Sequence, residues 1–131
     1  TDGDLVADDI ETIIRDLPAG GPDGPAMLVT RNFVFLAIGA AEGDDAAADG
    51  PILTDRQKVW RYAIDGGGKM LWSSGIADTP ELHVRPNTSD VWGIDRGDGG
   101  AAEFNRFDLG GFHGHPFLDA AGRPRAGFEA R

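Results

Sequence analysis

Between Ser73 and Pro116 the chain is cut by glycine, proline and asparagine into pieces too short for helices, and this punctuation limits the fold more than any other feature. Glu81 to Val84 runs into a Pro86-Asn87 turn, and Asp90 to Ile94 reads as a short strand that ends on the acidic Asp95. A glycine-rich loop, Gly97-Asp98-Gly99-Gly100, precedes a strand holding Glu103, Phe104, Asn105 and Phe107. The stretch closes on Gly110-Gly111-Phe112-His113-Gly114-His115-Pro116, where the glycines permit a sharp corner and Pro116 stops further strand pairing.

The rest of the chain follows the same pattern. Asp9 to Leu17 alternates and predicts an edge-like strand that Pro18 ends, and residues 19–25 form a Gly/Pro loop. Met27 to Val29 and Asn32 to Ile38 read as strands, the second so continuously apolar that both of its faces should be buried. Lys58 to Ile64 and Met70 to Trp72 predict a hairpin across Asp65-Gly66-Gly67-Gly68-Lys69. No stretch carries a helix-length amphipathic pattern. Short strands, Gly/Pro turns and the spread of Trp60, Trp72 and Trp92 fit an all-β radial repeat better than a sandwich.

The order Thr79-Pro80-Glu81-Leu82, Val91-Trp92-Gly93-Ile94-Asp95, Gly97-Asp98, Glu103-Phe104-Asn105 and Gly110-Gly111-x-x-Gly114-x-Pro116 resembles the glucose/sorbosone dehydrogenase family, over most of residues 8–118. The resemblance implies a six-bladed β-propeller and a soluble, periplasmic or extracellular sugar dehydrogenase that uses pyrroloquinoline quinone (PQQ) and calcium. With 131 residues, the chain holds about two to three blades at roughly 40–50 residues each. The fold class expected is therefore a partial β-propeller: incomplete first blade material in 1–76, a following blade in 77–118 and a loosely ordered tail in 119–131 anchored by Phe117 and Leu118. The chain is expected to be a fragment of a larger propeller.

The resemblance also implies site positions. The family's histidine base falls on Asp23 in one alignment and on Leu28 in another, and an exposed aspartate near pKa 4 is a weak base for an alcohol. Its cofactor-holding Arg-Asn pair falls on Ala77-Asp78, where Asp78 would repel the quinone carboxylates. Its calcium loop falls on Gly97 and Asp98, whose backbone carbonyls need no particular side chain. From the residues themselves, His113 and His115 would share a strand face and could chelate a metal, although no third ligand is evident. His83 reads as an exposed strand residue, the tryptophans and Tyr62 as packing with sugar stacking the lesser reading, and Asn87-Thr88-Ser89 as a glycosylation pattern in a turn.

Charge narrows the partners. Twenty-two acidic against 12 basic residues leave a net charge of −10, which disfavours nucleic acid and an anionic membrane surface. There is no cysteine, hence no disulfide or thiolate site. No apolar run is long enough to cross a bilayer, and no charged-then-apolar leader is evident. The expected activity is PQQ- and calcium-dependent sugar oxidation. The alternatives are a catalytically silent segment used for binding or assembly, and a calcium-dependent lactonase-type hydrolase. The apolar Val34, Phe35 and Leu36 on one side and Trp92, Phe104 and Phe107 on the other are too many for one two-blade contact, so self-association or the remaining blades of a longer chain are the expected partners.

Overall fold

The structure, a computed structural model, describes residues 9–18, 24–41, 55–97, 101–119 and 121–126. Its described residues are all-β. Eight strands follow one another: β1 (Ala26–Val29), β2 (Phe33–Ile38), β3 (Lys58–Ala63), β4 (Met70–Ser74), β5 (Glu81–Val84), β6 (Val91–Arg96), β7 (Ala102–Phe107) and β8 (Gly111–Phe112). β1 to β4 form an antiparallel meander, and β5 to β7 form a second, three-stranded one. A four-stranded meander packed on a shorter one is the arrangement of two neighbouring propeller blades, and the chain is a partial β-propeller.

Local chemistry sets the strand ends. The Thr30 hydroxyl donates to the Phe33 carbonyl at 3.0 Å and accepts from the Phe33 N–H at 3.1 Å, closing the β1–β2 turn. The β3–β4 hairpin turns through Gly66 and Gly68, both at positive φ, with the Asp65 carboxylate accepting from the Gly67 N–H. Asn87, at φ 61°, takes the left-handed conformation that asparagine tolerates in the β5–β6 turn.

β2 is buried on both faces, as its continuous apolar run predicts. Phe35 and Ala37 join Ala26 and Val59 against Leu82, Val91 and Phe107 of the second meander, with Ile76 from the crossing segment between the sheets. Val34, Leu36 and Ile38 point the other way, onto Tyr62, Trp60 and Ile14. Each large side chain so enclosed contributes roughly 1.5–3 kcal/mol through area removed from water.

Three expectations are corrected. Asp9 to Leu17 is not a strand: the segment lies over the Val34 face through Ile14 while Ile10 stays 85% exposed, because the described residues offer it no strand ladder. The apolar residues are not left over as two groups, since Val34, Phe35, Leu36 and Phe107 are all buried and only Trp92 and Phe104 face outward. The residues after Pro116 are not a loose tail within the described range. The Phe117 and Leu118 N–H groups donate to the Gly114 carbonyl, Arg125 N–H donates to Phe117, and Leu118 bridges to Pro124.

The sequence reading missed β8. It runs parallel to β4 and pairs Ser73 with Gly111 and Ser74 with Phe112, so the chain returns from the second meander to the edge of the first. Trp72 Nε1 donates to the Phe107 carbonyl at 2.7 Å and Ser73 Oγ to the Asp108 carbonyl at 3.0 Å, tying the two sheets along this edge.

Candidate functional site

Where the two sheets end side by side, a cleft of about 280 Å3 opens between β6, β7 and the turn after β8. Its floor is Asp95. Along β6, Val91, Gly93 and Asp95 share the inward face, so the carboxylate at the strand's end is carried into the protein and is only 5% exposed. The crossing segment meets it with donors: Ala77 N–H at 3.0 Å from Oδ2, Asp78 N–H at 2.8 Å from Oδ1 and the Thr79 hydroxyl at 3.2 Å from Oδ1. Charge-assisted bonds of this kind offset the cost of burying the carboxylate and fix how the second blade leaves the first.

Glu103 stands opposite Asp95 across the β6–β7 ladder and faces the same cleft. The far wall is histidine. His113 and His115 hang on the end of the first sheet, their N–H groups donating to the Ser74 and Gly75 carbonyls, each at 2.9 Å. Both residues line the cleft, though not through strand parity: β8 ends at Phe112, and Gly114 at φ 98° stands between them. His113 packs edge-on to Phe107 with centroids 4.8 Å apart, and its Nε2 is buried without a hydrogen-bond partner. Burial pushes its pKa below the ordinary histidine value, with the negative charges of Asp95, Glu103 and Asp108 opposing that shift. His113 is thus a neutral imidazole at neutral pH, held beside two carboxylates. Arg125 reaches in from the C-terminal turn, with Nη1 3.3 Å from the Pro116 carbonyl. Hydrogen-bond acceptors, a neutral imidazole and a guanidinium in a small cleft of mixed polarity suit a hydroxyl-bearing neutral ligand better than a strongly charged one.

The positions inferred from resemblance fare unevenly. Asp23 and Asp98 lie outside the described residues. Gly97 is on the cleft wall, and its N–H donates to the Ala101 carbonyl at 2.9 Å, closing the mouth of the β6–β7 loop. Leu28 is a half-buried β1 residue packed against the inter-sheet core, with no group for proton transfer. Ala77 and Asp78 do not fit a quinone cofactor. Ala77 has no donor side chain and its N–H is engaged by Asp95, while the Asp78 carboxylate is bridged by Arg96, with Nε at 3.0 Å. Among the described residues no three His, Cys, Asp or Glu side chains are grouped to hold a metal ion.

Asp95 was legible only as an acidic strand end, although its parity with Val91 and Gly93 marks a carboxylate that must be buried and satisfied. Arg125 carried no usable signal, because its place depends on the fold of the C-terminal turn.

A second feature lies on the outer face of β5–β7. Trp92 and Phe104 stack with centroids 5.1 Å apart and ring planes 19° from parallel, and Phe104 is 69% exposed. Beside them His83, Val84, Arg85 and Pro86 enclose a shallow hollow.

No family model matches the chain, and no curated protein matches it in sequence. Among solved structures it is similar to a crystal structure of glucose dehydrogenase, at 22% identity and a TM-score of 0.56 over 76% of this chain. The match takes in 32% of that structure, so the chain spans about a third of its length. The likeness is one of fold.

Proposed function

We propose that this chain is a blade segment of a sugar-dehydrogenase-like propeller, serving assembly and ligand binding rather than quinone-dependent oxidation on its own. One observation carries the reading: the two positions where the resemblance expects an Arg-Asn clamp on the cofactor are engaged within the fold, Ala77 by Asp95 and Asp78 by Arg96. In this reading Asp95 orders the crossing between blades, and Glu103, His113 and Arg125 give the cleft a surface for hydroxyl groups. Sugar is the ligand class, supported by the structural neighbour and by the cleft's mixed polarity. The test is dye reduction by the purified chain with PQQ, calcium and a panel of aldoses. No rate above the protein-free control is expected, and an aldose-dependent rate overturns the reading.

The second reading is PQQ- and calcium-dependent sugar oxidation, with Gly97 and Asp98 as carbonyl ligands to calcium. What favours it is the blade arrangement shared with a glucose dehydrogenase and the position of Gly97 at the cleft. Calcium would polarise a bound oxygen there as a Lewis acid. A calorimetric titration with calcium checks the metal separately from activity, and absence of binding heat removes it.

A further inference from the structure

We propose that His113 selects the ligand of the cleft: it carries its proton on Nε2 and offers the lone pair of Nδ1 to a hydroxyl of a single sugar ring. This rests on the sugar-binding reading above and names the atom that reads the sugar. The tautomer is set behind the ring, at Gly111. A Cβ added there would stand 3.1 Å from the Asp108 carbonyl oxygen, 3.3 Å from Ser73 Oγ and 3.4 Å from His113 Nε2, so three polar atoms converge on the space that glycine leaves open. The Asp108 carbonyl accepts from the Gly111 N–H at 2.9 Å and from Ser73 Oγ at 3.0 Å. The serine hydroxyl has thereby used its one hydrogen, and both oxygens show the imidazole only lone pairs. Nε2 is enclosed beside them. A lone pair on Nε2 would face lone pairs, whereas an N–H there is attracted to both oxygens.

In a neutral imidazole one nitrogen donates and the other accepts, so a proton on Nε2 makes Nδ1 an acceptor. Nδ1 is not enclosed as Nε2 is, and the open side of the ring is the cleft that His113 lines. The groups around it there are engaged or have no proton to give. Asp95 accepts from Ala77, Asp78 and Thr79, and Glu103 accepts from Asn105. Asp108 and Asp119 are paired with Arg106 and Arg123. Arg125 Nη1 donates to His115 Nδ1 at 3.4 Å and to the Pro116 carbonyl at 3.3 Å. Nδ1 and the Glu103 carboxylate therefore call for hydrogens from the ligand. A neutral polyol supplies them without bringing a further charge into a half-enclosed space. At about 280 Å3 the cleft is at the small end of ligand sites, which suits one sugar ring rather than a chain of them.

Isotope-edited proton–nitrogen spectra of the histidine rings read the tautomer directly, with His83→Gln and His115→Gln chains assigning the signals. Above neutral pH, His113 should show a protonated Nε2 and a lone-pair Nδ1. A proton on Nδ1 overturns the proposal. Glucose is the first probe, followed by the aldose panel. As glucose saturates the chain, the Nδ1 signal of His113 should move while Nε2 keeps its proton. Fully O-methylated glucose, which has the ring but no hydroxyl hydrogen, should leave that signal in place.

His113→Phe keeps the bulk against Phe107 but not the acceptor, and should weaken glucose binding about 10-fold in a calorimetric titration. His113→Asn, whose side-chain oxygen can stand where Nδ1 stands, should recover most of that loss, and His113→Gln, whose amide reaches toward the place of Nε2, should not. Far-UV circular dichroism must match the parent in each. Glucose that binds without moving the Nδ1 signal, or that binds His113→Phe as tightly as the parent, rejects the role of His113 and leaves the sugar-binding reading in place. No response to any aldose anywhere in the backbone spectrum rejects that reading and the contact with it. Aldose-dependent dye reduction accompanied by the Nδ1 shift rejects the silent-segment reading alone and leaves His113 as the residue that holds the sugar.

Discussion

His113 concentrates the chemistry of the cleft in one ring. Its imidazole is pushed below its ordinary value of 6.5 by burial, so the folded chain holds that proton less tightly than the unfolded chain does. The sign follows from linkage: the full stability of the folded state is present above the unfolded value, and it is lost as pH falls from 6.5 through the lower folded value. Urea midpoints measured from pH 8 down to pH 5 should therefore fall faster for the parent than for His113→Gln, which lacks the titrating ring. A gap between the two proteins that does not change with pH would show that the ring is not held neutral. The residues themselves pointed to His113 as one of two rings on one face, but its neutral state was not legible. That depends on Phe107, Asp95 and Glu103, which reach it from β6 and β7. Asp95 was half legible for the opposite reason: its inward parity is local, whereas the Ala77, Asp78 and Thr79 donors that satisfy it come from a segment 16 to 18 residues away.

At the scale of elements, local pattern succeeded wherever a strand pairs with its sequence neighbour. β2, the β3–β4 hairpin and the β5–β6–β7 meander all follow from apolar alternation and glycine turns. It failed at β8, a two-residue strand whose partner β4 lies 38 residues earlier in the chain, and at residues 9–18, whose alternation has no ladder to join. That segment covers the Val34 face by packing rather than pairing, and the contact is close: a Cβ added at Gly66 would come within 1.9 Å of the Ile13 carbonyl oxygen. Gly66 also sits at φ 86°, where an L side chain is strained. Gly66→Ala should push the segment off the sheet and cost about 1–3 kcal/mol by overpacking. Trypsin should then cut after Arg15 faster than in the parent, with the β-sheet dichroism unchanged. Equal cleavage rates would mean that residues 9–18 are held by something other than the Gly66 turn.

For the molecule as a whole the question is whether two blades make one cooperative body. The inter-sheet core draws on both meanders, with Phe35, Ala37 and Val59 from the first against Leu82, Val91 and Phe107 from the second. The seam is also hydrogen-bonded: the Trp72 indole donates to the Phe107 carbonyl and the Gly110 N–H to the Trp72 carbonyl, each at 2.7 Å. Neither sheet can lose this contact without exposing the other's inner face, so unfolding of the two should be a single event. Chains keeping only Trp60, on the first sheet, or only Trp92, on the second, with phenylalanine at the other tryptophans, should give coincident urea transitions. Phe107→Ala, which leaves a cavity in the shared core, should lower both midpoints together and cost about 3–5 kcal/mol. If the Trp92 reporter melted first while the Trp60 reporter held its parent midpoint, the first meander would be stable alone. The contact with the second sheet would then add little, and the outer aromatic face could not be presented to a partner by a rigid support.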